Sequence, residues 1–582
     1  MSRIQFSYKV IMAGVLLFCA NTVFAEAKKE NDSKKSSATK PNILWLVLED
    51  MSPIIEPYGD KTIKTPTITE LANQGVTYTN VYSTSGVCAP SRAAIALGMY
   101  PSSVGANNMR TTSNTEETGL PKYEAVPPAS AKMLSQYLRE HGYYTTNNLK
   151  TDYQFQAPKG AWDESGPYAH WRNRKAGQPF YAVVNFTTTH ESGLFEPYGF
   201  RKIESRHYFS DDRKKIAQLP QHHAVKSSEA DTPVLVAKDL DFPIPPYLPD
   251  TPIVRRDLWK MYNNLAETDN QIAAVLQQLK DDGLYDNTII MFYSDHGGPL
   301  PRQKRLVYDS GLQVPFIIRY PNAENAGEKE DQLVSFVDFA PTLLSLAGID
   351  IPAHMQGRDF LGAQQTAERK YIHAAADRFD GFTDVIRAVR NKRFKYIRNY
   401  RPEQGYYLPV AYREKIPTMQ ELLRLKGENK LTVEQSLWFR EKKDPEELFD
   451  LANDPHEINN IIDDPKYAKV VGELRAEMDR WLVDINDDPR VSEPQLIKNL
   501  WSESNTQPVT QAPKLIVKNG KLYISSSTPG AVISYQSSDA DESSAWQLYQ
   551  HPVPVTAQTS LKVVAHRIGY RESAPVVYNP IH

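Results

Sequence analysis

The chain has 582 residues, 67 basic against 70 acidic side chains for a formal net charge of −3, and 41% hydrophobic residues. That length can bury a large core and implies two or three domains. The near balance of charge excludes the global basic field that a nucleic-acid partner requires, so no such partner is expected.

Met1–Lys9 carries Arg3 and Lys9, Val10–Ala20 is nearly unbroken apolar, and Val23-Phe24-Ala25 ends the run on a small residue. This pattern predicts a signal peptide over 1–25, an exported (periplasmic or secreted) protein and no membrane span in the mature chain. Glu26–Lys40, rich in Lys and Ser with no apolar period, is expected to be a disordered tether. Cys19 leaves with the signal, so the mature chain keeps one cysteine, Cys88, which cannot form an internal disulfide.

"NILWLVLEDM" from Asn42 reads as a buried parallel strand ending in acids. "TPTITELANQG" predicts a short helix, and "PASAKMLSQYLREHG" (Pro128–Gly142) a second with a glycine stop. "PFYAVVNFTTTH" (Pro179–His190) is a second buried strand, Arg255–Gly283 a long amphipathic helix, and "TIIMFYSDHGG" (Thr288–Gly298) a third strand. "PFIIRYP" is a fourth strand and "SFVDFAPTLLSLAG" a helix. The alternation predicts an α/β domain over 41–370, a large, mostly parallel sheet sandwiched by helices. From Tyr371 the texture changes: "AVRNKRFKYIRNY" alternates as one antiparallel strand would, and a helix follows around Tyr467–Ile485. These imply a smaller α+β subdomain over 371–490. A Pro- and Ser-containing linker is expected over 491–512, and short alternating strands with Gly turns predict an all-β module over 513–582.

Three of the predicted strands end in polar groups: Glu49-Asp50, His190 and Asp295-His296. Ligands of open α/β sheets bind at the carboxyl ends of strands, so these residues can converge on one site. Adjacent buried carboxylates repel unless neutralised. A solvated cap would account for either pair alone. Together they suggest a metal site, in which oxygen ligands favour Ca²⁺ or Mg²⁺ and a histidine widens the choice to Mn²⁺ or Zn²⁺.

Cys88-Ala89-Pro90-Ser91-Arg92, followed by "AAIALGMYP", resembles the Cys-x-Pro-Ser-Arg signature of the formylglycine-dependent sulfatases, members of the alkaline-phosphatase-like superfamily. "TPTITELANQGVTYTNVYS", the Tyr262–Gly298 segment and "LFDLANDPHEINNI" are similar to further segments of that family in the same order, so the resemblance spans about residues 40–490. "LEDMSPIIEPYGD" and "PPYLPDTPIVRRDL" look closest to the branch of heparan N-sulfatase and bacterial polysaccharide sulfatases.

The resemblance implies that Cys88 is oxidised by a formylglycine-generating or anaerobic sulfatase-maturating enzyme. One hydroxyl of the hydrated aldehyde attacks sulfur, and the other drives sulfate elimination. It implies one metal ion, expected to be Ca²⁺, held by Glu49, Asp50, Asp295, His296 and the residue at Cys88. Glu49 stands where Asp is commoner, and His296 where Asn is frequent. By the same resemblance Arg92 supports the formylglycine and the carboxylates, His190 protonates the leaving oxygen, and Lys150 and Lys304 contact the sulfate. The family's histidine two positions after the lysine is absent; Asp152 stands there and is expected to face substrate. Arg110 and His170-Trp171 are candidate glycan contacts.

The substrate implied is a sulfated polysaccharide or its oligosaccharides, ulvan first, carrageenan or fucoidan next, with glycosaminoglycans open. The terminal module resembles a small β-sandwich appended to carbohydrate enzymes and is expected to pack on the catalytic domain. Two alternatives stay open: a phosphoester or phosphonate hydrolase on the same scaffold, and a non-catalytic binder of sulfated glycans.

Overall fold

Asn42 and the six apolar residues that follow it, Ile43–Leu48, form β1, and every one is buried. Alternate side chains enter separate cores: Leu44, Leu46 and Leu48 lie on one face of the sheet, and Ile43, Trp45 and Val47 on the other. Such a strand needs neighbours on both edges and layers on both faces, which is why its sequence is continuous rather than alternating. The computed structural model describes residues 40–113, 115–166, 169–196, 233–540 and 545–580. The expected signal peptide and all but the last residue of the tether lie outside the described residues.

The large sheet is built from β1, β2 (Val76–Tyr82), β3 (Tyr144–Asn148), β4 (Glu164–Ser165), β5 (Phe180–Phe186), β6 (Thr288–Ser294), β7 (Gln313–Arg319) and β8 (Lys329–Ser335). Its order is β4-β3-β5-β1-β6-β7-β2-β8. Pro66–Asn73 (α1) and the 30-residue helix Pro252–Asp281 supply the layer on the Leu44 face. Cys88–Leu97 (α2), Leu134–Glu140 (α3) and Phe339–Leu346 supply the opposite layer. The result is the expected α/β sandwich.

The fourth predicted strand, β7, pairs antiparallel with both β6 and β2. Between β6 and β7 lies a single four-residue turn of helix, Asp309–Leu312, too short for a crossover. The chain loops at the carboxyl edge and must run back alongside the strand it left. The helix predicted from Pro128 begins only at Leu134, where the Gln136 side chain accepts the Met133 N–H across 2.9 Å. "AVRNKRFKYIRNY" is two strands, β10 (Ile386–Arg390) and β11 (Phe394–Asn399), rather than one. Asn391 turns the chain, its Oδ1 accepting the N–H groups of Arg393 and Phe394 at 2.8 and 2.7 Å. With β9 (Ile372–Ala376) and β12 (Glu446–Asp450) these form a four-stranded antiparallel sheet.

The expected linker holds structure of its own. Glu493–Leu500 is helical, and Ile497 and Trp501 are buried against Tyr123. Glu493 accepts hydrogen bonds from Tyr123 Oη (2.7 Å) and Arg378 Nε (2.7 Å). The prolines and serines of this segment initiate and flank a helix instead of breaking one.

The last 70 or so residues carry a three-stranded and a four-stranded antiparallel sheet around Leu522, Ile524, Leu561 and Val563. They sit on the segment joining β3 to β4. Arg139 donates to Gly160 O and to Trp546 O, both at 2.9 Å, and Lys159 pairs with Glu572 at 2.9 Å. Any side chain at Gly160 would come within 2.7 Å of Ser534 Oγ, so the two surfaces touch at backbone distance there. No helix among the described residues is long and apolar enough to cross a membrane.

Candidate active site

β5, β1 and β6 are parallel neighbours, and Leu48 is level with Phe186 and Ser294. The three chains therefore leave the sheet together, and the next residues of each face a common space. Asp50 takes a left-handed backbone (φ 52°), donating its N–H to Asp295 Oδ1 at 3.1 Å. Thr189 Oγ1 donates to Glu49 O at 2.6 Å, and the Glu191 N–H to Asp50 Oδ2 at 2.7 Å. Gly297 is required where the β6–β7 loop folds back: a Cβ there would lie 2.3 Å from Ser310 O.

Cys88 is the first residue of α2, so the positive end of the helix dipole points at these carboxylates. Cys88 Sγ lies 3.4 Å from His296 Nε2 and 4.0 Å from Asp50 Oδ1. One turn on, Arg92 Nη2 is 3.1 Å from Asp295 Oδ2 and 3.5 Å from Glu49 Oε1, while Nη1 donates to Asn185 Oδ1 at 2.7 Å. Lys150 Nζ reaches Glu49 Oε2 (2.8 Å), and Lys304 Nζ reaches Asp50 Oδ2 (2.6 Å) and Glu191 Oε1 (3.1 Å). His190 Nε2 stands 3.4 Å from Lys304 Nζ and 3.9 Å from Glu49 Oε2.

Glu49, Asp50, Asp295 and His296 are fully buried, so their charge states follow from one another. Burial would raise the Asp50 carboxyl, but Lys304, His190 and His296 hold it well below the usual range. Burial is likewise outweighed at Asp295, by His296 and Arg92. At Glu49 it prevails over Lys150 and Arg92, and the carboxyl is raised. His296 is lifted to about 10 against its own burial by Asp295 and Asp50. The ligand atoms of Asp50, Cys88, Asp295 and His296 lie within 4.8 Å of one another, as do those of Glu49, Asp50, Cys88 and His190. Carboxylate oxygens and an imidazole converging on one dry space fit a divalent cation.

A sulfatase family model matches residues 41–349, and an N-sulphoglucosamine sulphohydrolase C-terminal model matches 302–434. A protein named ulvan-active sulfatase from Formosa agariphila is 57% identical over 581 residues, 98% of each chain. The chain belongs to the sulfatase family. Human N-sulphoglucosamine sulphohydrolase is 24% identical, the match covering 77% of this chain and 90% of that one. A solved complex with D-glucosamine-2-N,6-O-disulfate as its substrate shares the fold, with a TM-score of 0.53 at 19% identity over 78% of this sulfatase and 100% of that chain.

The fold of this sulfatase gathers Glu49, Asp50, Cys88, Arg92, Lys150, His190, Asp295, His296 and Lys304 into one cluster. Asp152 is at its rim, partly exposed, 4.0 Å from Lys150 Nζ. Arg110 is also at the rim, paired with Asp380 at 3.0 Å, its guanidinium 5.6 Å from the centre of the Tyr412 ring. His170 is a correction. It is buried, caps a turn by accepting the Arg172 N–H, and contacts Gln278 at 3.0 Å. Its neighbour Trp171 stacks on Phe180, the first residue of β5. The site follows the last residue of that strand, roughly 20 Å away at 3.3 Å per residue. His170 and Trp171 thus lie at the opposite end of β5 from the cluster.

Sequence reading missed Asn185, Glu191, Arg305 and Tyr412. Glu191 is buried and holds Arg305 through two hydrogen bonds of 2.8 and 2.9 Å. It directly follows His190 and Arg305 directly follows Lys304, a pairing of neighbours that could have drawn notice. Tyr412 lies in a segment with no period and left no such signal.

Proposed function

We propose that this enzyme removes sulfate esters from ulvan or its oligosaccharides, using a formylglycine made from Cys88 and one Ca²⁺. The observation that carries this reading is the 57% identity to an ulvan-active sulfatase along essentially the whole chain. The buried cluster around Cys88 agrees with it. In this proposal the protein is exported through residues 1–25, and a formylglycine-generating or anaerobic sulfatase-maturating enzyme supplies the modification.

Glu49, Asp50, Asp295 and His296 would hold the cation. A hydrated formylglycine at position 88 would supply a hydroxyl nucleophile, and a bound cation would acidify that hydroxyl and neutralise sulfate oxygens. Arg92 fixes two of the carboxylates from within α2, so the helix that carries residue 88 and the acids that face it move as one body. Lys150 and Lys304 bring ammonium groups to the same space, where they stabilise charge on the sulfate oxygens in a water-poor environment. His190 turns Nε2 towards the site, while Nδ1 lies 2.9 Å from Ser192 Oγ, to which it donates when the ring is protonated. The imidazolium would pass its Nε2 proton to the leaving sugar oxygen, which is too basic to depart as an alkoxide, and the ring would be left neutral.

The test is sulfate release by maturation-competent protein from defined ulvan, carrageenan, fucoidan and heparan oligosaccharides, alongside the mass of the Cys88 peptide. Release from ulvan oligosaccharides with that peptide about 18 Da below the thiol form is the expected result. Release confined to another polymer overturns the substrate, and turnover by unmodified protein overturns the nucleophile.

A further inference from the structure

Beside His190 the fold presents an aromatic ring, Tyr412, with two cations within 6 Å of its centre. Tyr412 meets the His190 ring edge-on, with centroids 6.4 Å apart, and is fixed from behind by Phe195 at 5.4 Å. Arg110 Cζ lies 5.6 Å and Lys415 Nζ 5.5 Å from the centre of the Tyr412 ring. Arg110 is not a loose surface side chain. Its loop is stitched to the 377–380 segment by the Met109 N–H to Arg378 O bond (2.9 Å) and the Arg378 N–H to Asn108 Oδ1 bond (3.0 Å).

The charge around this ring does not balance. Arg110 has Asp380 and Arg305 has Glu191. Lys415 and the buried Arg413 have no carboxylate within 4 Å among the described residues; Arg413 donates to Leu408 O and lies over the Trp438 ring. Burial and then repulsion from Arg305 push the Arg413 guanidinium down to about 9. A buried guanidinium without an acid is costly and raises the potential of the surface above it.

We propose that Tyr412, Arg110 and Lys415 form a platform for an anionic sugar, one whose ring stacks on Tyr412 while a carboxylate or second sulfate meets the two cations. The inference rests on His190 acting at the leaving oxygen. A sugar whose oxygen is at His190 Nε2 lies against the ring next to that histidine, and pyranose faces pack on aromatic rings. Arg110 supplies a planar fork suited to either anion, and Lys415 a point charge.

The experiment compares kcat/KM on ulvan oligosaccharides, on the same oligosaccharides after carbodiimide–borohydride reduction of their carboxylates, and on oligosaccharides stripped to a single sulfate. The wild-type enzyme is expected to prefer the native substrate. A preference lost on carboxyl reduction assigns the carboxylate as the anion, and one lost on removal of the second sulfate assigns the sulfate. Lys415→Gln and Arg110→Gln should each erode that preference about tenfold, through KM, as loss of one charge-assisted hydrogen bond implies. Tyr412→Ala should weaken native and modified substrates alike, and Lys466→Gln, remote from the site, should leave the preference intact. A wild-type enzyme indifferent to both modifications, or a preference that survives both cation variants, overturns the platform. If no sulfate is released from any of them, the ulvan reading has failed on its own terms. Calorimetric titration of the Cys88→Ala protein with the same oligosaccharides still decides the platform: equal affinity for all of them rejects it.

Discussion

Lys304 and Asp50, 254 positions apart in the chain, are joined by a 2.6 Å hydrogen bond between Nζ and Oδ2 inside a fully buried cluster. The bond ties the β6–β7 loop to the end of β1, and Lys304 is the strongest influence holding Asp50 ionised against its burial. Lys304→Ala should therefore lower kcat/KM by about 10²–10³, the usual loss for one preorganised charge donor. It should also cost about 3–5 kcal/mol of stability, because it strands a buried carboxylate. Kinetics with a thermal melt check both. A variant that melts like the wild type would show that Asp50 finds another partner.

Glu191 is a positioning residue. It grips Lys304 and Arg305 while its own N–H engages Asp50. Glu191→Gln keeps the shape but not the charge that orients both cations. The expected outcome is a loss of about tenfold in kcat with a smaller change in KM. Glu191→Asp should recover part of it. Equal losses in kcat for Gln and Asp would point to packing instead.

Removing divalent cations should destabilise the fold as well as silence it. Three buried carboxylates lose a counter-charge when the cation goes. At a Ca²⁺ concentration of 100 times Kd the linked stabilisation is about 2.7 kcal/mol. Chelation followed by scanning calorimetry should show a lower Tm that Ca²⁺ restores; an unchanged Tm would argue that Lys150, Lys304 and His296 already neutralise the site.

Glu447 offers a pH test away from the chemistry. It is fully buried on β12, accepts from Tyr406 Oη at 2.9 Å, and burial raises it from 4.5 to about 7. Folding takes up a proton between those values. The contribution is complete below about pH 4.5 and disappears as pH rises through 7. From pH 5 to pH 8 the wild type should lose about 2.5 kcal/mol relative to Glu447→Gln. Denaturant titrations at the two pH values measure this, and parallel pH profiles would sink it.

His170→Ala should leave kcat/KM unchanged and cost about 1 kcal/mol, the usual worth of a buried capping hydrogen bond. A fall in turnover without loss of stability would restore His170 to the substrate site.

The sequence made the central strands and their polar ends legible, because a buried parallel strand is written as a continuous apolar run and the residues that follow it are conspicuous. Glu49-Asp50, His190 and Asp295-His296 stand out for that reason, and Cys88 through its motif. Direction was not legible: nothing in "PFIIRYP" distinguishes a strand that returns along β6 from one that crosses over. Turn chemistry at Asn391 was hidden inside an alternating pattern, and the helix at Glu493 was hidden by its prolines and serines. His170 was misplaced because a histidine next to a tryptophan reads the same at either end of a strand. Tyr412 could not be found, since what brings it to His190 is packing across more than two hundred residues.

Gly160, pressed against Ser534, lies ten residues beyond Lys150 on one continuous stretch of chain. The terminal β module is thus a brace for the segment that delivers one of the two ammonium groups. A chain stopped near residue 505 would retain every charged group of the cluster and pass any inventory of motif residues. It would nonetheless turn over slowly, because its lysine would hang from an unsupported span.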